Sequence, residues 1–162
     1  MTTSLSSDLN AALKALSGQY YRLALVVGPA GSGKTPALIT LAQQHHWPRL
    51  NVNLRLAESL LELTPRQRTV QAAALLEDRV RETAAEIVIL DHLEMLFAVE
   101  LALDPLRLLQ ALSRHRVIIA AWPGYFAAET LTYAEPGHPE ARRYFRPDAC
   151  IVPVIPPVSA AL

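Results

Sequence analysis

Residues Leu23-Ala24-Leu25-Val26-Val27 run directly into Gly28-Pro29-Ala30-Gly31-Ser32-Gly33-Lys34-Thr35. An unbroken apolar run bounded by a glycine reads as a strand buried on both faces, because a strand with one wet face alternates apolar and polar residues. The stretch behind the glycines, Thr35 to about His45, carries apolar residues at helical spacing and predicts a helix. A buried strand, a tight loop and a helix in that order form a βα unit, which commits the chain to a parallel sheet with crossover helices.

The loop itself fits G-x-x-x-x-G-K-[ST] from Gly28 to Thr35, the phosphate-binding P-loop or Walker A pattern. Gly28, Gly31 and Gly33 allow backbone conformations closed to other residues, so that successive N–H groups of the loop Gly28-Pro29-Ala30-Gly31-Ser32-Gly33 can turn inward around a phosphate chain. Lys34 is expected to reach the β- and γ-phosphates, and the Thr35 hydroxyl to ligate Mg²⁺. The N-terminus of the following helix favours an anion at the same place. Pro36 falls in the first turn of that helix, where a missing N–H costs no intrahelical bond. It also removes a donor that commonly reaches a phosphate, so ATP is expected to bind more loosely than the motif alone implies.

A second run, Ile87-Val88-Ile89-Leu90-Asp91, is four apolar residues ending in an acid. A carboxylate at the C-terminal end of a buried parallel strand can hold Mg²⁺ through its water shell, so Asp91 is the expected metal-associated acid. Many P-loop ATPases follow this aspartate with a glutamate that polarises the attacking water; here His92 takes that place. Glu94 and His92 are the candidates for water activation, by carboxylate and by imidazole respectively. Whether ATP is hydrolysed at all stays open at this level. The strand Val117-Ile118-Ile119-Ala120-Ala121 leads into Trp122-Pro123-Gly124, so its tip offers an indole where related ATPases place a polar γ-phosphate sensor.

Composition bounds the alternatives. With 162 residues and 51% hydrophobic content, one globular domain with a substantial core is expected, with no room for the helical lid that AAA+ ATPases append. The 15 basic and 15 acidic residues balance, which excludes a uniformly basic coat for nucleic acid or anionic membrane but leaves local patches open. The single cysteine, Cys150, lies in an apolar run and reads as a buried, inert thiol. No run of about 18 apolar residues occurs and no basic-then-apolar leader opens the chain, so a soluble, cytoplasmic protein is expected.

Elsewhere, Leu5, Leu9, Ala12, Leu13 and Leu16 share one face of a helix over residues 4–17. Leu50-Asn51-Val52-Asn53-Leu54 alternates like a short strand. Thr64-Pro65-Arg66-Gln67 is a capping box opening a helix to about Thr83, with Val70, Ala73, Ala74 and Val80 inward. Asp104-Pro105 opens another helix through Leu106, Leu109 and Leu112. Residues 125–148 read as largely irregular, with Arg142, Arg143 and Arg146 free either to bind phosphate or to form an exposed basic helical turn. Ala149 to Val154 closes as a fifth strand, with Pro153 at an edge or at the strand's end. The expected architecture is α/β: a doubly wound, five-stranded parallel sheet with helices on both faces, an AAA-like P-loop NTPase core without a lid. Residues 1–154 form one nucleotide-binding domain, and 155–162 a Pro-rich tail.

The P-loop, Asn51-Val52-Asn53-Leu54, Ile89 to Phe97, Asp104 to Gln110, Ala120-Ala121-Trp122-Pro123-Gly124 and Leu131 to Glu140 together resemble the BrxF family, small P-loop proteins of type 3 BREX phage-defence systems. The resemblance spans nearly the whole chain, and its most particular part is Tyr133-Ala134-Glu135-Pro136-Gly137-His138-Pro139-Glu140. It implies a bacterial component of antiviral defence working beside larger BREX proteins, including a DNA methyltransferase. The leading expectation is therefore a regulatory ATP-binding, slowly hydrolysing protein. The alternatives are a non-hydrolysing interaction module that keeps bound nucleotide as a prop, and a small-molecule P-loop kinase. A second copy of the chain and direct contact with nucleic acid both stay open as partners.

Overall fold

The computed structural model describes residues 2–154, so the tail expected at 155–162 lies outside the described residues. The first strand, β1 (Leu23–Gly28), is buried along its whole length, as its unbroken apolar sequence requires. Ahead of it lies helix α1 (Thr2–Leu16), and behind it α2 (Lys34–His45). The chain continues through β2 (Arg49–Asn51), α3 (Val52–Leu60), α4 (Pro65–Glu82) and β3 (Ile87–Asp91). Two short 3-10 turns lead to α5 (Pro105–Leu112), which returns the chain to β4 (Val117–Pro123). Strands β5 (Tyr125–Ala127), β6 (Thr130–Tyr133) and β7 (Arg142–Phe145) follow, and β8 (Cys150–Pro153) ends the described fold.

Five strands form one parallel sheet in the order β2-β3-β4-β1-β8. Side chains of β1 alternate between its two faces. Leu23, Leu25 and Val27 join a core built with α3, α4 and α5, while Ala24 and Val26 join a second core built with α1 and α2. The sheet is thus covered on both sides, as a parallel sheet of apolar strands needs. Because the chain leaves β1 for one face and leaves β3 for the other, the C-terminal strand ends part around a cleft, the usual position for a ligand in such sheets. Pro153 sits on edge strand β8, where its missing N–H removes no inner ladder bond.

Three sequence expectations are corrected. Residues 50–54 are not a strand throughout: Asn51 Oδ1 accepts a hydrogen bond from Leu54 N at 3.0 Å and so caps α3. The alternation there doubles as the start of a helical i, i+4 series, Val52, Leu56 and Leu60, all buried. In α4 the capping box forms as expected, but the buried series is Ala72, Leu76 and Val80, and Val70 is 77% exposed. Apolar residues occur at several phases of this helix, and only packing on α3 selects one.

The third correction is the largest. Residues 125–145 are not irregular but hold a three-stranded antiparallel sheet, β5-β6-β7, so Arg142 and Arg143 lie on a strand rather than a helical turn. Its hairpin carries no Asn-Gly signal. Ala128 and Glu129 instead take φ of 49° and 61°, the left-handed pair that a two-residue hairpin turn uses.

This small sheet is fastened by aromatic contacts. Tyr133 stacks on Phe97 with ring centroids 3.8 Å apart, and Trp122 meets both Phe97 and Tyr144 edge to face. Trp122 Nε1 donates to Thr132 O at 3.0 Å. Beside it, a Cβ on Gly124 would stand 1.9 Å from the same carbonyl oxygen, so only glycine permits this approach.

Candidate functional site

The loop between β1 and α2 and the end of β3 bound a cleft of about 220 Å³, lined by Ala30, Gly31, Gly33, Lys34, Thr35, Pro36, Asp91, His92, Glu94 and Ala121. Gly28, Pro29 and Ser32 belong to the same segment but do not line the cleft. Gly31 and Gly33 have φ of 79° and 97°, in the left-handed region that a side chain resists. Gly33 stands at the N-cap of α2 and offers no side-chain cap, so the helix begins with its first N–H groups turned to the loop. Among the described residues, the N–H groups of Gly33, Lys34 and Thr35 have no acceptor.

Two polar groups in this loop stand out. Ser32 is 8% exposed and its Oγ has no hydrogen-bond partner among the described residues. Gly28 makes room for it, since a Cβ there would lie 2.5 Å from that oxygen. A buried hydroxyl without a partner costs about 1–3 kcal/mol and is satisfied by any acceptor or donor that enters the loop. Lys34 is also buried, and its Nζ donates to the carbonyls of Gly28 and Pro29, the latter at 2.9 Å. Burial lowers the Lys34 pKa below its ordinary value, with the carboxylates of Glu94 and Asp91 pulling the other way.

Asp91 ends β3 at 2% exposure and gathers donors from three elements. Thr35 Oγ1 lies 3.2 Å from its Oδ1, His92 N donates to Oδ1 at 2.9 Å, and Arg49 Nη1 meets Oδ2 at 3.3 Å. Thr35 and Asp91, 56 positions apart in sequence, are therefore in direct contact. Arg49 was not singled out from the sequence. Its one signal is position: it opens the strand that pairs with β3, in register with Ile89, which lets its long side chain run forward to Asp91.

His92 follows in a left-handed conformation, φ 57°, held by its N–H on Asp91 and by its carbonyl, which accepts from Asn53 N at 2.9 Å. Its imidazole Nε2 is 3.9 Å from Asp91 Oδ2. Glu94 is exposed at the rim, where Asn53 Nδ2 donates to its Oε2 at 2.8 Å. Asn53 Oδ1 accepts from Met95 N at 2.8 Å, so one amide holds both the Glu94 carboxylate and the backbone that carries it. Trp122 does not face the cleft, being buried against the small sheet, and Ala121 is the β4 residue that lines it.

The arginines of the small sheet do not gather here. Arg142 donates to the carbonyls of Glu140, Ala141 and Leu103, and Arg146 pairs with Glu129 at 3.2 Å. Arg143 is exposed on the outer face of β7. Cys150 is half-buried, and burial pushes its thiol pKa up, away from thiolate chemistry. No helix among the described residues is long and apolar enough to cross a membrane. No family model matches this sequence, and no curated protein matches it.

Proposed function

We propose that the protein binds ATP with Mg²⁺ in the cleft between the Gly28–Thr35 loop and Asp91, and that this loop is a P-loop. The observation that carries the reading is the contact of Thr35 with Asp91 beneath a loop whose Ser32 hydroxyl and leading helix N–H groups lack partners. That donor set suits a polyphosphate, and the hydroxyl–carboxylate pair suits a hard divalent cation. In this reading Lys34 leaves its own loop carbonyls for the β- and γ-phosphates, and Thr35 and Asp91 hold the metal. Bound Mg²⁺ supplies neutralisation of phosphate charge. The order of the sheet supports the AAA-like P-loop core expected from the sequence, since β4 lies between β1 and β3.

Hydrolysis, if it occurs, is slow in this reading. Glu94 is engaged by Asn53 and must be released before it can orient water, while His92 Nε2 lies 3.9 Å from Asp91 Oδ2. That restraint equally favours a second reading, in which bound nucleotide acts as a switch or prop without turnover. The resemblance to the BrxF family supports a regulatory role beside larger proteins in bacterial anti-phage defence. The deciding experiment is Mg²⁺-dependent ATP binding and turnover by the purified protein, with Lys34→Ala as the blank. Binding lost in Lys34→Ala supports the site, and turnover above the blank selects the ATPase over the switch. Equal ATP binding by both proteins would remove the proposal.

A further inference from the structure

The opposite edge of the parallel sheet carries a second cleft, of about 390 Å³, lined by Gly18, Gln19, Tyr20, Arg22, Arg114 and His115. These residues precede β1 and β4, so the cleft lies at the N-terminal strand ends, about 20 Å from the nucleotide loop across the six residues of β1. It is built rigidly. Arg22 N donates to Ser113 O, and Arg22 O accepts from Ile118 N, both at 3.0 Å, which ties the two arginine-bearing segments together. Arg22 Nη2 also donates to Arg114 O at 3.3 Å. The Arg114 guanidinium lies over the Tyr20 ring, 4.8 Å from its centroid, and Tyr21 braces Tyr20 edge to face.

The positive charge of this cleft exceeds what its described surroundings offset. Neither Arg22 nor Arg114 pairs with a carboxylate among the described residues, and no carboxylate lines the cleft. The neighbouring C-terminus of α5 offers about half a negative charge, against two guanidinium groups that are always ionised. Arg116, next along the chain, is by contrast occupied by the carbonyls of Val80 and Ala85. Two guanidinium groups lining one cleft, neither paired with a carboxylate among the described residues, beside a tyrosine that is 62% exposed, have the makings of a recognition surface for an anion with a flat, stackable part.

We propose that this cleft binds single-stranded nucleic acid, with Arg22 and Arg114 on backbone phosphates and a base packing on the exposed part of the Tyr20 ring away from Arg114. The cleft is shallow and open to solvent, which suits a strand laid across it rather than a small molecule enclosed on all sides. The neutral overall charge of the chain makes the interaction local, with two phosphate contacts rather than a broad electrostatic field. Single-stranded binding then weakens with salt at a log–log slope of about −1.4, the value for two phosphates neutralised.

The test is fluorescence anisotropy of a labelled oligothymidylate titrated with the full chain over a range of salt concentrations. The Arg22→Gln/Arg114→Gln double variant should bind more than about tenfold more weakly and lose most of the salt slope. Tyr20→Ala should weaken binding about tenfold while keeping the slope, because stacking carries no charge. Arg143→Gln, on the outer face of β7, should bind as the parent does. Thermal melts of each variant report whether it is folded. No binding by the parent at low salt would overturn the proposal, as would undiminished binding by the folded double variant or a loss in Arg143→Gln equal to that in the double variant.

Discussion

Arg49 and Asp91 meet at 3.3 Å across two paired parallel strands, a partly exposed guanidinium against a carboxylate at 2% exposure. A carboxylate so deeply buried needs its donors, and Arg49 supplies the positive charge among them. Arg49→Ala should cost about 1–2 kcal/mol of stability, a figure reduced for the solvent around Arg49 and for the donors Thr35 and His92 that stay in place. Urea denaturation measures it. An unchanged midpoint would mean that the pair contributes nothing to the fold. In the proposed nucleotide site the same variant removes a cation that competes with Mg²⁺ for Asp91, so Mg²⁺ affinity in the presence of ATP should rise rather than fall.

If the Gly28–Thr35 loop binds nucleotide as proposed, the state of Lys34 makes that binding depend on pH. Burial holds its pKa below 10.5, so the free protein loses this charge at a lower pH than an exposed lysine does. A bound polyphosphate favours the ammonium and pulls the pKa back up. ATP affinity should therefore fall as pH rises through the lowered pKa, with proton uptake on binding in that window. Calorimetry in two buffers of different ionisation enthalpy reads the uptake directly, and a pH-independent affinity with no uptake would count against the role given to Lys34.

Tyr144 and Tyr133 set an alkaline limit on stability. Burial raises both phenols above 10.0, and for Tyr144 the hydrogen bond to Asp104 Oδ1, 2.8 Å long, adds to the shift. A phenol whose folded pKa is raised contributes stability that is fully present below its unfolded value and is lost as pH rises beyond it. Unfolding should therefore become easier above about pH 10, and Tyr144→Phe should blunt that dependence while costing about 1 kcal/mol at neutral pH. Tyrosinate absorbance followed alongside thermal melts separates the two effects.

Gly124→Ala should be among the most damaging small substitutions in the chain. The added Cβ would meet Thr132 O at 1.9 Å, and the obstacle is backbone rather than a flexible side-chain end. Relief requires β6 to move from Trp122, breaking the indole hydrogen bond that fastens the small sheet. A loss of about 2–4 kcal/mol is expected in equilibrium unfolding. Intact stability would show that the small sheet is attached by something other than this contact.

The sequence by itself determined the main sheet and the position of its loop. Unbroken apolar runs such as Leu23–Val27 and Ile87–Leu90 can only be satisfied between two layers of helices, and the glycines after β1 announce a turn that no other residues make. The capping box at Thr64 and the Asp104-Pro105 start also acted locally, through bonds three residues long, and were legible for that reason. What tertiary structure decided was everything set by partners distant in the chain. Packing on α3 chose Ala72, Leu76 and Val80 over Val70, because several phases of α4 were apolar enough to serve. Long-range contacts with Trp122 and Phe97 held short strands that lack a standard hairpin signal. The approach of β2 to β3 brought Arg49 to Asp91, and the return of α5 beside β1 set Arg114 against Arg22. In each case the interacting groups stand too far apart in sequence for periodicity or local hydrogen bonding to reveal them, and only the folded chain brings them within reach.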